Sequence, residues 1–312
     1  MAKPAIEERL KDLLDETRIA MLGTQLLLGL QYRAAFTDAF NMLPAPFAAL
    51  DAVALLLIML AAALLLAIPP LHWITESGHA TGYMIAHASR FLRAALLPLA
   101  CTLGLDIAIG LAKPLGTALA FAAGLTFFVA ALIAWYGIPL LVAEPSREDT
   151  MEDKAQPLET RLVQSLTELR VILPGAQALF GFQFTATLTQ GFDQLPALSK
   201  GVHLASMGVV AATIILLIAP AAYHRLAAKG NAEERVLTYT TRLMLCSVGL
   251  LALGLVGDAY VTVCKIFGMP LVAFGICCAA LIGFAVLLYG IPLYARSHRQ
   301  GVRGDHAVNQ AP

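Results

Sequence analysis

The chain has 312 residues, of which 59% are hydrophobic and only 13% charged, and its mean hydropathy is +0.74. Soluble domains carry roughly a quarter charged residues; here the charges gather between long apolar runs, which excludes a water-soluble fold and assigns those runs to a bilayer. Acidic and basic residues balance at 21 each, so no global field favours nucleic acid or another polyanion.

Taken in chain order, residues 1–18 mix Glu7, Glu8, Asp12, Asp15 and Glu16 with four bases, and no small-residue cleavage site follows. The first span is therefore expected to act as an uncleaved insertion signal. Ile6, Leu10, Leu13 and Leu14 share one helical face, which predicts a short interfacial helix leading into that span. Apolar runs near the ~20 residues needed to cross hydrocarbon follow. They lie at about 19–40, 50–70, 91–112 and 116–142. A polar stretch, 143–157, then interrupts the pattern as a linker. Beyond it Leu158, Leu162, Leu166 and Leu169 open a second amphipathic stretch, and runs at about 171–192, 203–223, 243–264 and 269–294 complete eight predicted spans.

The two halves resemble each other at an offset of about 152 residues. Glu16-x-Arg18 falls on Glu168-x-Arg170, and Gly23-x-Gln25 on Gly175-x-Gln177. Gln31 falls on Gln183, His72 on His224, Asp106 on Asp258 and Lys113 on Lys265. With one insertion, Tyr136-Gly137-Ile138-Pro139 recurs as Tyr289-Gly290-Ile291-Pro292. An even number of helices per repeat makes both enter and leave on one side, so the expected fold is all-α, with eight transmembrane helices in two parallel four-helix repeats. The expected division is 1–142, a linker 143–157, 158–295, and a tail 296–312. All Lys and Arg residues except Arg33, Lys113, Lys200 and Lys265, 17 of the 21, fall on one side of this arrangement. That predicts cytoplasmic termini and a multi-pass protein of the inner membrane. Gly116, Ala120 and Gly124, and Gly275, Ala279 and Gly283, are candidate small-residue packing faces.

Asp106 and Asp258 are the sharpest functional candidates, because a charge in an apolar helix costs about 2.5–3.5 kcal/mol and is usually retained for a purpose. Such a carboxyl suits a carrier that trades a proton for a small cation. Equally, it suits a hydrogen-bonded structural role, since counting from Arg90 sets Asp106 roughly 24 Å along its helix, in the outer third. Gln25, Gln31, Gln177 and Gln183 are candidates for a polar path or for hydrogen bonds between helices. Lys113 and Lys265 are expected to snorkel to the interface, as is Arg33. His72, Glu76, His79 and His87 are the one cluster with metal-like side chains, but Gly78 and Gly82 break the helix they would need, so the segment is read as a cytoplasmic loop with His72 and His224 at the headgroups. No metal or cofactor is expected. The five cysteines lie in or beside apolar runs without a CxxC, as small packing residues.

Leu169-Arg170-Val171-Ile172-Leu173-Pro174-Gly175-Ala176-Gln177, then Phe180, and Ile218-Ala219-Pro220-Ala221-Ala222-Tyr223-His224-Arg225 resemble an uncharacterised bacterial integral-membrane family. Its members look like single four-helix units, sometimes automatically labelled sodium/proton antiporters. The resemblance covers about 158–294 well and 6–142 more loosely, with Leu22 in place of the proline and Pro69-Pro70-Leu71-His72-Trp73 in place of the tyrosine–histidine–arginine ending. It implies a tandem duplication and transfers no catalytic or transport residue. With no nucleophile elbow, phosphate loop or His-Glu-x-x-His pattern, the expectation is a structural or accessory membrane protein that is not an enzyme. The alternative is a cation- or proton-coupled transporter using Asp106 and Asp258. Expected partners are lipid and, compatibly, a second copy of the chain or a small cation or proton.

Overall fold

A computed structural model describes residues 6–43, 45–142, 157–226, 228 and 231–298; the expected tail 296–312 lies outside them beyond residue 298, as does almost all of the 143–157 linker. Every regular element among these residues is helical. The first half runs α1 (Ile6–Ala34), α2 (Asp38–Asn41), α3 (Ala45–Leu66) and α4 (Ile68–Pro70), then a π-turn π1 (Leu71–Thr75), α5 (Gly82–Leu132), π2 (Ile133–Gly137) and α6 (Ile138–Val142). The second half runs α7 (Leu158–Ala186), α8 (Gln190–Asp193), α9 (Ala197–Leu226), α10 (Glu234–Phe267), α11 (Pro270–Ala285) and π3 (Val286–Gly290).

Five helical stretches are long and apolar enough to cross a membrane: Pro46–Thr75, Gly82–Gly137, Ala197–Leu226, Glu234–Phe267 and Pro270–His298. The second comprises two rods, because Gly116, at φ 76° and ψ 168°, breaks the helix inside α5. Its counterpart in the second half, Gly268, is also at positive φ and ends α10 in a left-handed cap. Side chains other than glycine rarely adopt either conformation. α1 and α7, the most polar of the long helices, fall outside the five. Each is continuous over 29 residues, so the expected interfacial helices are simply their first turns. Pro174 sits inside α7 without ending it.

Local anchors repeat between the halves. Tyr136 donates to the carbonyl of Arg93 at 2.5 Å and Tyr289 to that of Leu245 at 2.6 Å, two carbonyls at equivalent places in the repeat. Both tyrosines sit in π-turns, where one extra residue widens the helix. Buried threonines satisfy their hydroxyls within their own helices, as Thr17 does on the Leu13 carbonyl and Thr262 on that of Asp258.

The packing between the halves does not follow that repetition. α1 lies along α7, and α3 packs on α10. α1 and α7 run in the same direction and nearly in register: Gln25 lies against Gly175, Phe182 against Gly29, and Gly191 against the Phe36 carbonyl. Hence 72% of the apolar window of Pro46–Thr75 and 61% of that of Glu234–Phe267 are buried, against 28% for Ala197–Leu226 and 22% for Pro270–His298. The first half commits its second long helix to the centre, and the second half its third. The outer helices present apolar side chains outward; Leu125, Phe127, Leu271 and Phe274 are all more than half exposed, as lipid contact requires. Of the two small-residue faces, Ala120 and Gly124 pack, with Gly124 against Gly104 and Ala108. Gly275 and Gly283 meet nothing and Ala279 is exposed, so among the described residues the second face is left unpacked.

Candidate functional site

Two clusters of buried polar side chains join the halves. Pro69 and Pro70 offer no N–H where the second long helix ends, and the next five residues wind into π1. This turn carries His72 and Trp73 inward. His72 Nδ1–H donates to Glu168 Oε1 of α7 at 2.6 Å, and Trp73 Nε1–H donates to Glu168 Oε2 at 2.5 Å. His72 and Glu168 are at most 1% exposed. Each carboxylate oxygen thus receives one donor from the opposite half, the arrangement that offsets the cost of burying a charge. Arg161 of α7 donates to the Ser77 carbonyl at 2.6 Å just outside this cluster. The expectation of a loop at His72 is corrected in one respect: residues 68–75 are helical and His72 is fully buried within the protein. His224 is only half-buried.

The second cluster surrounds Asp258 of α10. Gln183 of α7 donates its amide to Asp258 Oδ2 at 2.5 Å, and His203 Nδ1 of α9 lies 3.7 Å from Asp258 Oδ1. His203 Nε2 lies 3.1 Å from the Gln183 carbonyl; a carbonyl only accepts, so Nε2 carries the hydrogen. Nδ1 is hydrogen-bonded to the hydroxyl of Tyr32, which reaches across from α1. Tyr32 stacks on the imidazole, ring centres 5.6 Å apart, with Phe36 and Phe192 closing the surroundings. Lys265, expected to snorkel, donates instead to the Ala35 carbonyl and lies over the Phe36 ring, capping the C-terminal end of α1.

In the first half the repeat places Gln31, Asp51 and Asp106 where the second has Gln183, His203 and Asp258. Gln31 donates to the backbone carbonyl of Asp51 at 3.2 Å, and Asp51, buried, lies within electrostatic reach of Asp106. Asp106 is half-buried, whereas Asp258 is 3% exposed. The two aspartates therefore sit in unlike surroundings: one beside a second carboxyl, the other beside an imidazole.

The glutamines divide similarly. Gln31 and Gln183 belong to the aspartate groups, Gln25 is buried between α1 and α7 with no hydrogen-bond partner for either amide atom, and Gln177 is exposed. Arg33 and Lys113 are exposed. His87 turns to its own helix, bonding the Tyr83 carbonyl at 2.9 Å. No three His, Cys, Asp or Glu side chains among the described residues are grouped to hold a metal ion. Cavities lie elsewhere: one of about 670 Å³ is lined by Arg90, Arg93, Trp135 and Tyr136, one of about 500 Å³ separates the N-terminal turns of α1 and α7, and one of about 360 Å³ is apolar, between the two rods of α5 and Leu57.

Tyr32, Asp51, Glu168 and His203 escaped the sequence reading as site residues. Asp51 and His203 carried a usable signal, being ionisable, near an apolar run and at matching positions. Tyr32 carried none, because its counterpart is Phe184.

The profile of a family of unknown function (DUF6328) matches residues 3–139 and again residues 151–292. The chain belongs to this family and carries its unit twice. Neither the curated proteins nor the solved structures include a match to the chain.

Proposed function

We propose that this tandem protein is an eight-span membrane protein of two parallel four-helix units, structural or accessory in role and without catalytic turnover, in which the buried polar clusters bind the units together. The observation that carries this reading is the use made of the ionisable side chains. Glu168 accepts from His72 and Trp73, and Asp258 accepts from Gln183 beside the His203–Tyr32 pair, so each cluster spans both units. Within a bilayer such hydrogen bonds between helices hold a fold together where no hydrophobic force distinguishes helix from lipid. The distribution of Lys and Arg supports cytoplasmic termini, and a reporter fused after residue 150 is expected inside; an external signal there overturns the topology.

Substitution at Asp258 tests the structural role. Asp258→Asn keeps shape and hydrogen bonding but cannot titrate, and is expected to leave thermal stability in detergent near that of the parent. Asp258→Ala is expected to cost about 1–3 kcal/mol, the penalty of unsatisfied buried partners. A second reading, a cation- or proton-coupled pathway, draws on the first unit, where Asp51 lies within electrostatic reach of Asp106 and stands at the position His203 has in the second. In proteoliposomes the structural reading expects no ion-dependent proton flux from the parent. Flux in the parent that Asp106→Asn and Asp258→Asn abolish replaces it with the carrier.

A further inference from the structure

The two units meet through different flanks of like helices, and each leaves partly open the flank that its counterpart uses: Glu16, Gly23 and Ala34 on α1 and Gln177 and Phe184 on α7 are exposed, and the positions between them are half-buried. Five equivalent positions, Leu10 and Leu162 to Gln31 and Gln183, are buried in both helices; beyond these α1 buries Leu14, Met21, Gln25, Leu28 and Tyr32, whereas α7 buries Glu168, Ile172, Gly175, Leu179 and Ala186. Carried onto the first unit by the repeat, the α7 set falls on positions 16, 20, 23, 27 and 34. At 100° per residue the two sets lie roughly 150° apart around the helix. Contact between unlike faces of like units is head-to-tail, and such contacts continue until a ring closes.

We propose that a second copy of this chain binds head-to-tail, its second unit seated on the first unit through the contact already made inside each chain. The smallest closed assembly is two chains, a ring of four units.

The exposed faces carry the matching groups. Glu16, the counterpart of buried Glu168, is exposed on α1; the counterparts of His72 and Trp73 are His224, half-buried, and Arg225, exposed. In the second copy, His224 and Arg225 meet Glu16 as His72 and Trp73 meet Glu168, with an added positive charge opposite the carboxylate. Gln25 packs on Gly175 inside the chain; its counterpart Gln177 is exposed, and Gly23, which would receive it, faces open space. Phe182 covers Gly29; Leu30 is 50% exposed and its receptor Gly181 is open. Tyr32 is buried against His203, whereas Phe184 is 52% exposed. The second copy's Phe184 therefore reaches the Asp51–Asp106 pair, closing the one aspartate group that a single chain leaves half-open.

The test uses the full chain in lipid nanodiscs and in membranes. With the five native cysteines replaced, Gly23→Cys and Gln177→Cys are placed on separately tagged, co-expressed chains. A disulfide is expected between unlike tags, with neither variant cross-linking to itself, and native mass spectrometry is expected to give two or more chains. Glu16→Arg is expected to lower the oligomer at least tenfold, and Glu16→Arg with Arg225→Glu to restore it. These positions are exposed in the single chain, so an unchanged thermal transition separates lost assembly from lost folding. A chain that remains single in nanodiscs, including one that pairs only with a different protein, overturns the proposal. So does a Gly23→Cys variant that cross-links to itself as readily as to Gln177→Cys, which marks a like-to-like contact.

Discussion

Glu168→Ala is the sharpest perturbation of the contact between the units. It removes the acceptor for two buried donors, His72 Nδ1–H and Trp73 Nε1–H, both within 2.6 Å of the carboxylate. Each orphaned donor costs about 1–3 kcal/mol. Interhelical bonds in membranes average nearer ~0.6 kcal/mol because the unfolded helices find other partners, so the lower end, about 2–4 kcal/mol, is expected. Glu168→Gln keeps one carbonyl acceptor but turns an amide donor toward the second N–H, and is expected to lose about half as much. Unfolding in mixed micelles measures the cost. Trp73 reports the site directly: the chain has only two tryptophans, and Trp135→Phe leaves one. Its emission is expected to shift to the red as the hydrogen bond and the surrounding packing are lost. Ordinary surface substitutions change stability by no more than about 0.5 kcal/mol. A Glu168→Ala protein inside that range, with unchanged Trp73 emission, would refute the assignment of this cluster as the lock between units.

Gln25 tests the opposite sign. Both of its amide atoms are buried without a partner, so Gln25→Leu is expected to leave stability unchanged or raise it by about 1 kcal/mol; a loss above that, measured by the same unfolding curves, would mean the amide is satisfied. At the matching hinges, Gly268→Ala is expected to cost about 1 kcal/mol and Gly116→Ala about 2–3 kcal/mol. An added Cβ meets nothing at either position, and only Gly116 lies in the extended positive-φ region that essentially excludes other residues. Equal costs would show that packing, not backbone, governs these sites.

The apolar runs, the internal repeat and the helical class were legible in the chain alone, because bilayer spans need apolar length and duplicated units keep their local signals. The gap between the runs ending at 112 and starting at 116 marks the break at Gly116, whereas the recurrence of Tyr136-Gly137-Ile138-Pro139 carried no sign of the π-turns formed there. The buried roles of His72 and Glu168 did not, since a histidine beside two prolines and a glutamate in an amphipathic turn resemble a loop and a solvated face until helices from opposite halves enclose them. Asp106 and Asp258 looked interchangeable for the same reason. Periodicity specifies which face of each helix is apolar within its own unit, and so repeats with the unit. Which flank of α1 meets which flank of α7 depends on side chains that differ between the halves, such as Tyr32 against Phe184 and Trp73 against Arg225, and on the unlike contact they permit. That choice buries Asp258 beneath Tyr32 and leaves Asp106 half-open, so only the tertiary structure separated two aspartates that the repeat had made equivalent.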